Sequence, residues 1–97
     1  MIDKRFAIEM QTILGKKTGE LYFNEENGII NGFFDILHRN NLIHGESKEN
    51  GEIEFTGEIT TLIRKIPFYA EGKISGRKIN LILKSENDNF SVIGTEV

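Results

Sequence analysis

Apolar and polar residues alternate along most of this chain with the period of two that is typical of β-strands. In the clearest segment, residues 52–59, every odd residue is apolar or glycine and every even residue is polar. Helical periodicity is weak throughout, and turn signals separate the alternating segments. The pattern therefore predicts an all-β domain, an eight-stranded antiparallel up-and-down meander. The predicted strands cover residues 4–14, 19–25, 29–38, 42–48, 52–61, 66–75, 78–85 and 90–96.

The turn residues predict how neighbouring strands pair, because residues directly opposite each other share a face of the sheet. Asn27-Gly28 and Asn40-Asn41 favour two-residue type I′ turns, and Gly76-Arg77 favours a type II′ turn. Glu49–Gly51 fits a three-residue loop, and Glu86–Asn89 fits a four-residue loop. The pairs that these loops predict are Tyr22 with Phe33, Leu21 with Phe34, Ile36 with Gly45, Phe55 with Gly45, Ile74 with Ile79, Gly72 with Leu81, Leu83 with Val92 and Leu81 with Gly94.

Two connections leave a choice of register. For the first hairpin, around Lys16–Thr18, the sequence leaves the strand register ambiguous by two residues. The fifth is either a two-residue loop at Arg64-Lys65, which places two glutamates opposite each other, or a four-residue loop at Leu62–Lys65, which places Glu54 opposite Lys73. Opposite charges across a strand pair are favoured by roughly 0.2–1 kcal/mol. We therefore predict the four-residue loop.

The predicted registers give the sheet one apolar face that also carries glycines. Its large members are Phe6, Ile8, Met10, Leu14, Leu21, Phe23, Ile30, Phe34, Ile36, Ile43, Ile53, Phe55, Ile59, Ile66, Phe68, Ile74, Ile79, Leu81, Leu83, Phe90 and Val92, and its glycines are 32, 45, 57, 72 and 94. Large side chains packed over bare glycine positions are typical of a strongly curved sheet. We therefore predict that the meander is closed or nearly closed into a barrel, with a curved open sheet or a sandwich as the alternative.

Composition limits the classes of function that fit this chain. Its 97 residues are the size of one domain, spanning 1–97, and its net charge is −3 without a basic face or a long apolar run. We therefore predict neither a nucleic-acid nor a membrane partner. The charged N-terminal residues lead into an alternating segment and not into an apolar signal sequence, which predicts a cytoplasmic protein.

No pattern of residues in the chain indicates catalysis or a cofactor. The chain has no cysteine, and its two histidines, His38 and His44, are predicted to lie on opposite faces of the sheet. A zinc or transition-metal site needs three or four converging ligands, so we predict no metal site. None of the serines has the histidine and carboxylate neighbours of a nucleophile. We predict a protein that is not an enzyme, with no catalytic residues and no cofactor.

The segments Ile53–Ile59 and Phe68–Ile74 share a hydrophobic-x-x-x-Gly-x-hydrophobic pattern, and weaker copies end at Gly32, Gly45 and Gly94. In this respect the chain resembles the small up-and-down barrels of the calycin group, which includes lipocalins and avidins. The resemblance is architectural and covers nearly the whole chain. It implies a small apolar ligand inside the barrel, and the candidate cavity residues are Phe34, Phe55, Phe68 and His38. The chain contains no tryptophan, so no binding residue of those families is carried over.

Apolar residues also occur on the predicted outer face, where solvent-facing positions are ordinarily polar. Contiguous exposed apolar patches often mark contact surfaces. The interface candidates are Ile13, Tyr22 and Phe33 in one row and Ile82 opposite Ile93 on the last two strands. We predict a non-enzymatic binding or interaction module that forms a homo-oligomer or binds a protein partner through this wall. The alternative is a lipocalin-like carrier of a small apolar ligand.

Overall fold

The computed structural model describes residues 2–12, 15–36, 39–60, 62–86 and 88–97. The described residues form eight strands and a single 3₁₀ turn at Glu49–Gly51. The strands are β1 Ile2–Thr12, β2 Gly15–Glu26, β3 Ile29–Ile36, β4 Arg39–Ser47, β5 Glu52–Thr60, β6 Lys65–Ser75, β7 Lys78–Ser85 and β8 Asn89–Glu96. Three residues with predicted roles, Ile13, Leu14 and His38, lie outside the described part of the chain.

The eight strands form one closed antiparallel barrel in chain order. Each strand pairs with its neighbours in sequence, and β1 closes the sheet by pairing with β8 from Phe6 opposite Glu96 to Met10 opposite Val92. The predicted fold class is therefore confirmed in its closed form. Closure gives every strand a neighbour on both sides, so the sheet has no edge strand, and β4 and β5 separate only beyond Ile43 and Gly57.

The barrel interior is filled by the apolar face that the alternation predicts. The buried core residues are Phe6, Ile8, Met10, Leu21, Phe23, Ile30, Phe34, Ile36, Ile43, Ile53, Phe55, Ile59, Phe68, Ala70, Ile79, Leu81, Leu83 and Val92. Ile66, Ile74 and Phe90 are partly buried and pack against this cluster. Of the predicted inward residues, only Leu14 lies outside the described residues.

Inward glycines allow close approach of neighbouring strands. A Cβ atom added to Gly45 would lie 2.5 Å from the Phe55 Cα atom, and one added to Gly72 would lie 2.8 Å from the Leu81 Cα atom. Real Cβ atoms do not approach other atoms so closely, so a side chain at either position would push the strands apart. The predicted pairing of large residues with glycines is confirmed at these two places.

Three of the predicted turns have the expected register. The Asn27-Gly28 turn places Tyr22 opposite Phe33, and both turn residues have positive φ, as a type I′ turn requires. The loop Glu49–Gly51 places Phe55 opposite Gly45. The Gly76-Arg77 turn pairs the strands as predicted, and Gly76 has φ of 61°.

The first and third connections differ from the prediction because both occur earlier in the chain. Thr12 lies opposite Gly15, so Lys16–Thr18 belongs to β2 and not to a turn. Ile36 lies opposite Arg39, so Asn40-Asn41 belongs to β4, and the predicted pairing of Ile36 with Gly45 is wrong. Both shifts preserve which residues face inward, because each moves the register by an even number of residues.

The β5–β6 connection follows neither predicted register. Thr60 lies opposite Lys65, which places Glu54 opposite Glu71 and not opposite Lys73. As a result Phe55 lies between Gly45 and Ala70, and Gly72 lies opposite Ile53. The like charges are compensated by other neighbours, as described below, whereas the inner face gains a close match of large and small side chains.

The last hairpin is also tighter than predicted. Leu83 lies opposite Phe90, and Leu81 lies opposite Val92, so the predicted pairing of Leu81 with Gly94 is wrong. The Ser85 amide donates a hydrogen bond to the Asp88 carbonyl oxygen at 2.8 Å, and the Ser85 hydroxyl donates to the same oxygen at 2.9 Å. Hydrogen bonding across the hairpin therefore resumes at Asp88, two residues before Phe90, which is the first residue after a Glu86–Asn89 loop.

Candidate functional site

One end of the barrel opens into a cleft of about 1160 Å³. We call this end the cationic mouth, defined by Lys17, Arg39 and Arg64. The other lining residues are Lys16 and Thr18–Glu20 of β2, Asp35 and Ile36 of β3, Thr60 of β5, Leu62 and Ile63 of the β5–β6 loop, and Ile66 of β6. Small-molecule sites in proteins usually have volumes of about 300–1,000 Å³, so a small organic ligand would fit this cleft.

The cleft lies where β4 and β5 separate. The paired residues of these two strands end at Ile43 opposite Gly57, although both strands continue beyond that pair. The side chain of Asn41, only 4% exposed, bridges the gap. Its amide nitrogen donates to the Phe34 carbonyl oxygen at 3.0 Å, and its amide oxygen accepts a hydrogen bond from the Thr60 amide at 3.1 Å.

Two cationic residues at the mouth occupy inward positions of their strands. Lys17 is half-buried and lies on the face of β2 that carries Leu21, opposite the buried Met10. Arg39 lies on the face of β4 that carries Asn41, opposite the buried Ile36. Among the described residues, neither Lys17 nor Arg39 has a carboxylate oxygen within 4.0 Å.

The mouth also holds two carboxylates and an exposed apolar pair. Glu20 forms an ion pair with Arg5 on the outer wall, so its charge is already compensated, and Asp35 lies opposite Glu20 in the sheet. Leu62 and Ile63 in the β5–β6 loop are 93% and 90% exposed. The cleft thus combines a positive rim with apolar surface.

The predicted cavity residues lie below this cleft, in the packed interior. The rings of Phe34 and Phe68 meet edge to face with centroids 5.9 Å apart, and those of Phe55 and Phe68 do so at 6.1 Å. All three residues are buried. The three rings therefore pack against one another in the interior. The fourth candidate, His38, lies outside the described residues.

On the outer wall, Tyr22, Phe33 and Leu42 lie side by side on β2, β3 and β4. We call these three residues the outer row. The Tyr22 and Phe33 ring centroids are 5.4 Å apart, and Leu42 is 82% exposed. The neighbour of Tyr22 on β1 is Arg5, whose guanidinium carbon lies 5.0 Å from the Tyr22 ring centroid. The outer row therefore continues into Arg5, and Ile13, which was predicted to extend it, lies outside the described residues.

The other two interface candidates lie on a separate part of the wall. Ile82 and Ile93 are exposed on β7 and β8, but they are diagonal neighbours and not a directly opposed pair. Ile82 lies opposite Ser91, and Ile93 lies opposite Asn80. The predicted opposition of Ile82 and Ile93 is therefore wrong. The polar β1 residues Arg5 and Glu9 separate them from the outer row.

Among the described residues, the side chains with shifted pKa values, Lys48, Glu54 and Tyr69, form one polar cluster near the opposite end of the barrel. The Tyr69 hydroxyl donates a hydrogen bond to a Glu54 carboxylate oxygen at 2.6 Å, and Lys48 lies 3.1 Å from the same oxygen. The bond to Glu54 raises the pKa of Tyr69 to about 12. The hydrogen bonds that Glu54 accepts, first from Tyr69 and then from Lys48, lower the pKa of Glu54. The hydrogen bond to Glu54 raises the pKa of Lys48. The cluster is a network of compensated charges in which Glu54 and Tyr69 are half-buried and Lys48 is exposed.

The described residues contain no group of three histidine, aspartate or glutamate side chains that could hold a metal ion. The His44 Nδ1 atom lies 2.7 Å from the Asn31 Oδ1 atom on the outer wall. No helix in the described part of the chain is long and apolar enough to cross a membrane.

Sequence reasoning missed the inward cations of the mouth. The predicted first connection includes Lys17, and Arg39 falls between the predicted third strand, which ends at residue 38, and the predicted Asn40-Asn41 turn. Extending the alternation of β2 back from Leu21, and that of β4 back from Ile43, places Lys17 and Arg39 on the inward face. That extension was the available signal.

Comparison of the chain with known protein families, with curated proteins and with solved structures gave no match. The closed antiparallel meander is consistent with calycin-like architecture, and the resemblance is limited to architecture.

Proposed function

We propose that this protein is a non-enzymatic interaction module that self-associates through the outer row. The observation that carries the proposal is the exposure of Leu42, 82%, directly beside the contacting rings of Phe33 and Tyr22. Large apolar side chains grouped on a strand wall lose contact with water when a second surface covers them. The cytoplasmic location predicted from the sequence is part of this proposal.

The closed sheet supports association through side chains. The wall is paired on both sides of every strand except where β4 and β5 separate at the mouth, so a partner that contacts the wall meets side chains and not a free strand edge. A second copy of the chain would place its own outer row against the first in a two-fold contact, in which each patch covers its equivalent.

Sedimentation velocity over a wide range of protein concentration tests the proposal. We expect the wild type to form a dimer as concentration rises, and we expect Leu42→Glu to remain a monomer because the change introduces two like charges into a two-fold contact. Ile82→Glu is the matched control, since it alters an exposed apolar residue outside the outer row. A wild type that stays monomeric at high concentration would refute self-association, and loss of the dimer in Ile82→Glu alone would move the contact to β7 and β8.

The alternative, a carrier of a small apolar ligand within the barrel, stays a prediction. The edge-to-face contacts among Phe34, Phe55 and Phe68 favour a filled interior over an empty one. A rise in melting temperature with an apolar ligand, abolished by a bulkier interior such as Ala70→Leu, would support the carrier over the interaction module.

A further inference from the structure

We propose that the cationic mouth binds a small amphiphilic anion, a carboxylate or phosphate group carried on an apolar body. This site is separate from the outer row and does not depend on the function proposed above.

The charge of the cleft is the first argument. The chain as a whole carries a net charge of −3, yet four basic residues, Lys16, Lys17, Arg39 and Arg64, line this one cleft. Lys16 forms an ion pair with Glu9, and Glu20, one of the two carboxylates of the lining, is engaged by Arg5. Basic residues outnumber carboxylates in the lining, and this excess of positive charge attracts an anion from solution.

The direction of the cations is the second argument. Lys17 and Arg39 occupy inward positions of β2 and β4, where Lys17 is half-buried and Arg39 is exposed at the rim. Both line the cleft, and no carboxylate oxygen of the described residues lies within 4.0 Å of either side chain. A guanidinium group can hold a carboxylate or phosphate through two parallel hydrogen bonds, and the ammonium group can add a third.

The apolar surface of the same cleft is the third argument. Ile36 and Ile66 lie at the level where the core begins, and the loop above carries Leu62 and Ile63 almost fully exposed. At Gly19, which also lines the cleft, β2 and β3 approach closely, because an added Cβ atom would overlap the Asp35 carbonyl oxygen. An apolar group bound above Ile36 and Ile66 would shield the two exposed loop residues from water.

Isothermal titration calorimetry with dodecanoate and dodecyl phosphate as probes, below their micelle concentrations, tests the proposal on the full chain. We expect saturable binding of both anions, weaker binding as salt is added, and no saturable binding of dodecanol or dodecyltrimethylammonium. Arg39→Gln and Lys17→Gln should each weaken the binding of anions about tenfold or more, because each removes a charged hydrogen-bond donor. Lys73→Gln and Lys78→Gln, on the outer wall near the other end, are the matched controls and should leave the affinity unchanged.

A second experiment separates a dissolved amphiphile from a lipid surface. Co-sedimentation with vesicles of anionic phospholipid measures binding to a membrane. Binding to the vesicles without binding to either soluble anion would overturn the proposal, because a docking surface and not a ligand site would then explain the cations. Equal affinity for dodecanol and dodecanoate, or an unchanged affinity in the Lys17→Gln, Arg39→Gln double variant, would overturn it as well.

Failure of this proposal and failure of self-association are distinguishable. Leu42→Glu changes the outer row and leaves the cleft intact, so it should bind dodecanoate with wild-type affinity. Arg39→Gln should keep the wild-type oligomeric state. Loss of anion binding in Leu42→Glu would show that the two surfaces are one site and would overturn the separate mouth.

Discussion

At the scale of single residues, the missing side chain of glycine determines how closely the strands of this barrel approach. The Cα atom of Gly45 faces the Phe55 backbone, and a Cβ atom there would lie 2.5 Å and 2.6 Å from the Phe55 Cα and Cβ atoms. The φ angle of Gly45 is not in the left-handed region, so the requirement is for space and not for backbone freedom. A tightly curved sheet needs such positions where a large neighbour fills the concave side.

Gly45→Ala should destabilise the protein by about 1–3 kcal/mol, because the added methyl group must displace backbone that is held by the β4–β5 ladder. Chemical denaturation measures the loss. The matched control is His44→Ala on the adjacent, exposed position, which should change stability by less than about 0.5 kcal/mol. Equal stability of Gly45→Ala and wild type would contradict the close approach of the strands.

A second residue-scale prediction concerns Tyr69. Its hydroxyl donates to the Glu54 carboxylate, so ionisation of Tyr69 would lose that bond and set two negative charges together. The pKa of Tyr69 is raised to about 12, above the ordinary tyrosine value near 10. The stabilisation is therefore fully present below about pH 10 and is lost as the pH rises through about 12.

Titration of tyrosinate absorbance measures this pKa. Tyr69→Phe identifies the transition, because Tyr22 is the only other tyrosine in the chain. Glu54→Gln removes the negative charge and should return the pKa of Tyr69 toward its ordinary value. The stability contributed by Glu54 changes with pH in the opposite direction, because the pKa of Glu54 is lowered. That contribution is present above the ordinary glutamate pKa and is lost as the pH falls. A Tyr69 pKa that is the same in wild type and Glu54→Gln would contradict the bond.

At the scale of strands, the inner face decides the register of β5 and β6. The observed pairs set Phe55 opposite Ala70 and Gly57 opposite Phe68. The predicted register would instead set Gly57 opposite Ala70, two small residues together, and Ile59 opposite Phe68, two large ones. Matching large with small fills a curved interior without voids or overlap, and core packing is worth more than one exposed charge pair.

The like charges in the observed register are compensated from other directions. Glu54 accepts from Tyr69 and Lys48, and Glu71 lies 2.6 Å from the Lys84 ammonium group on β7. The prediction failed here because it compared only the directly opposite residues on the outer wall. Comparison of inner side-chain volumes would have selected the observed register from the sequence alone.

Asn41 shows a different limit of sequence interpretation. The dipeptide Asn40-Asn41 has the composition of a type I′ turn, yet Asn41 faces the interior and its amide bridges β3, β4 and β5. Asparagine suits turns because its amide replaces backbone hydrogen bonds, and the same property lets it serve where two strands separate. Local composition cannot distinguish these uses. The inward positions of Lys17 and Arg39 were missed for the related reason that both had been assigned to connections.

The alternation alone was sufficient for the rest of the fold. It identified eight strands and the inward face, because every register error moved a strand by an even number of residues and left the faces unchanged. Identifying the mouth required the positions at which β2 and β4 begin, and the turn-like composition of Lys16–Thr18 and Asn40-Asn41 concealed them.

Asn41→Leu should destabilise the protein by about 1–3 kcal/mol, since the Phe34 carbonyl oxygen and the Thr60 amide would lose this hydrogen-bond partner at a buried position. Thermal and chemical unfolding measure the change. Asn40→Leu is the matched control, because Asn40 is exposed on the same strand. A loss that is equal in both variants would show that leucine is tolerated poorly anywhere in this segment and that the bridge contributes nothing.

At the scale of the whole molecule, the closed wall and the open end serve different proposed contacts. The outer row lies on the side of the barrel, whereas the cations lie at one end, so a dimer through the row leaves the mouth accessible. A dimer also makes stability depend on concentration, because the partner binds the folded chain and not the unfolded one.

We therefore expect the melting temperature of the wild type to rise with protein concentration and that of Leu42→Glu to stay constant. Differential scanning calorimetry at a series of concentrations measures both. A constant melting temperature for the wild type would contradict the dimer even if weak self-association were seen by sedimentation.

The ladder between β1 and β8 differs from all others in the distance along the chain that it spans. It joins residues 6–10 to residues 92–96, whereas each other ladder joins strands that follow one another in sequence. Hairpins can form early and independently, since closing a short loop loses little chain entropy. We therefore expect the ring to shut last during folding, at this five-pair seam, and to open there first when the protein fluctuates.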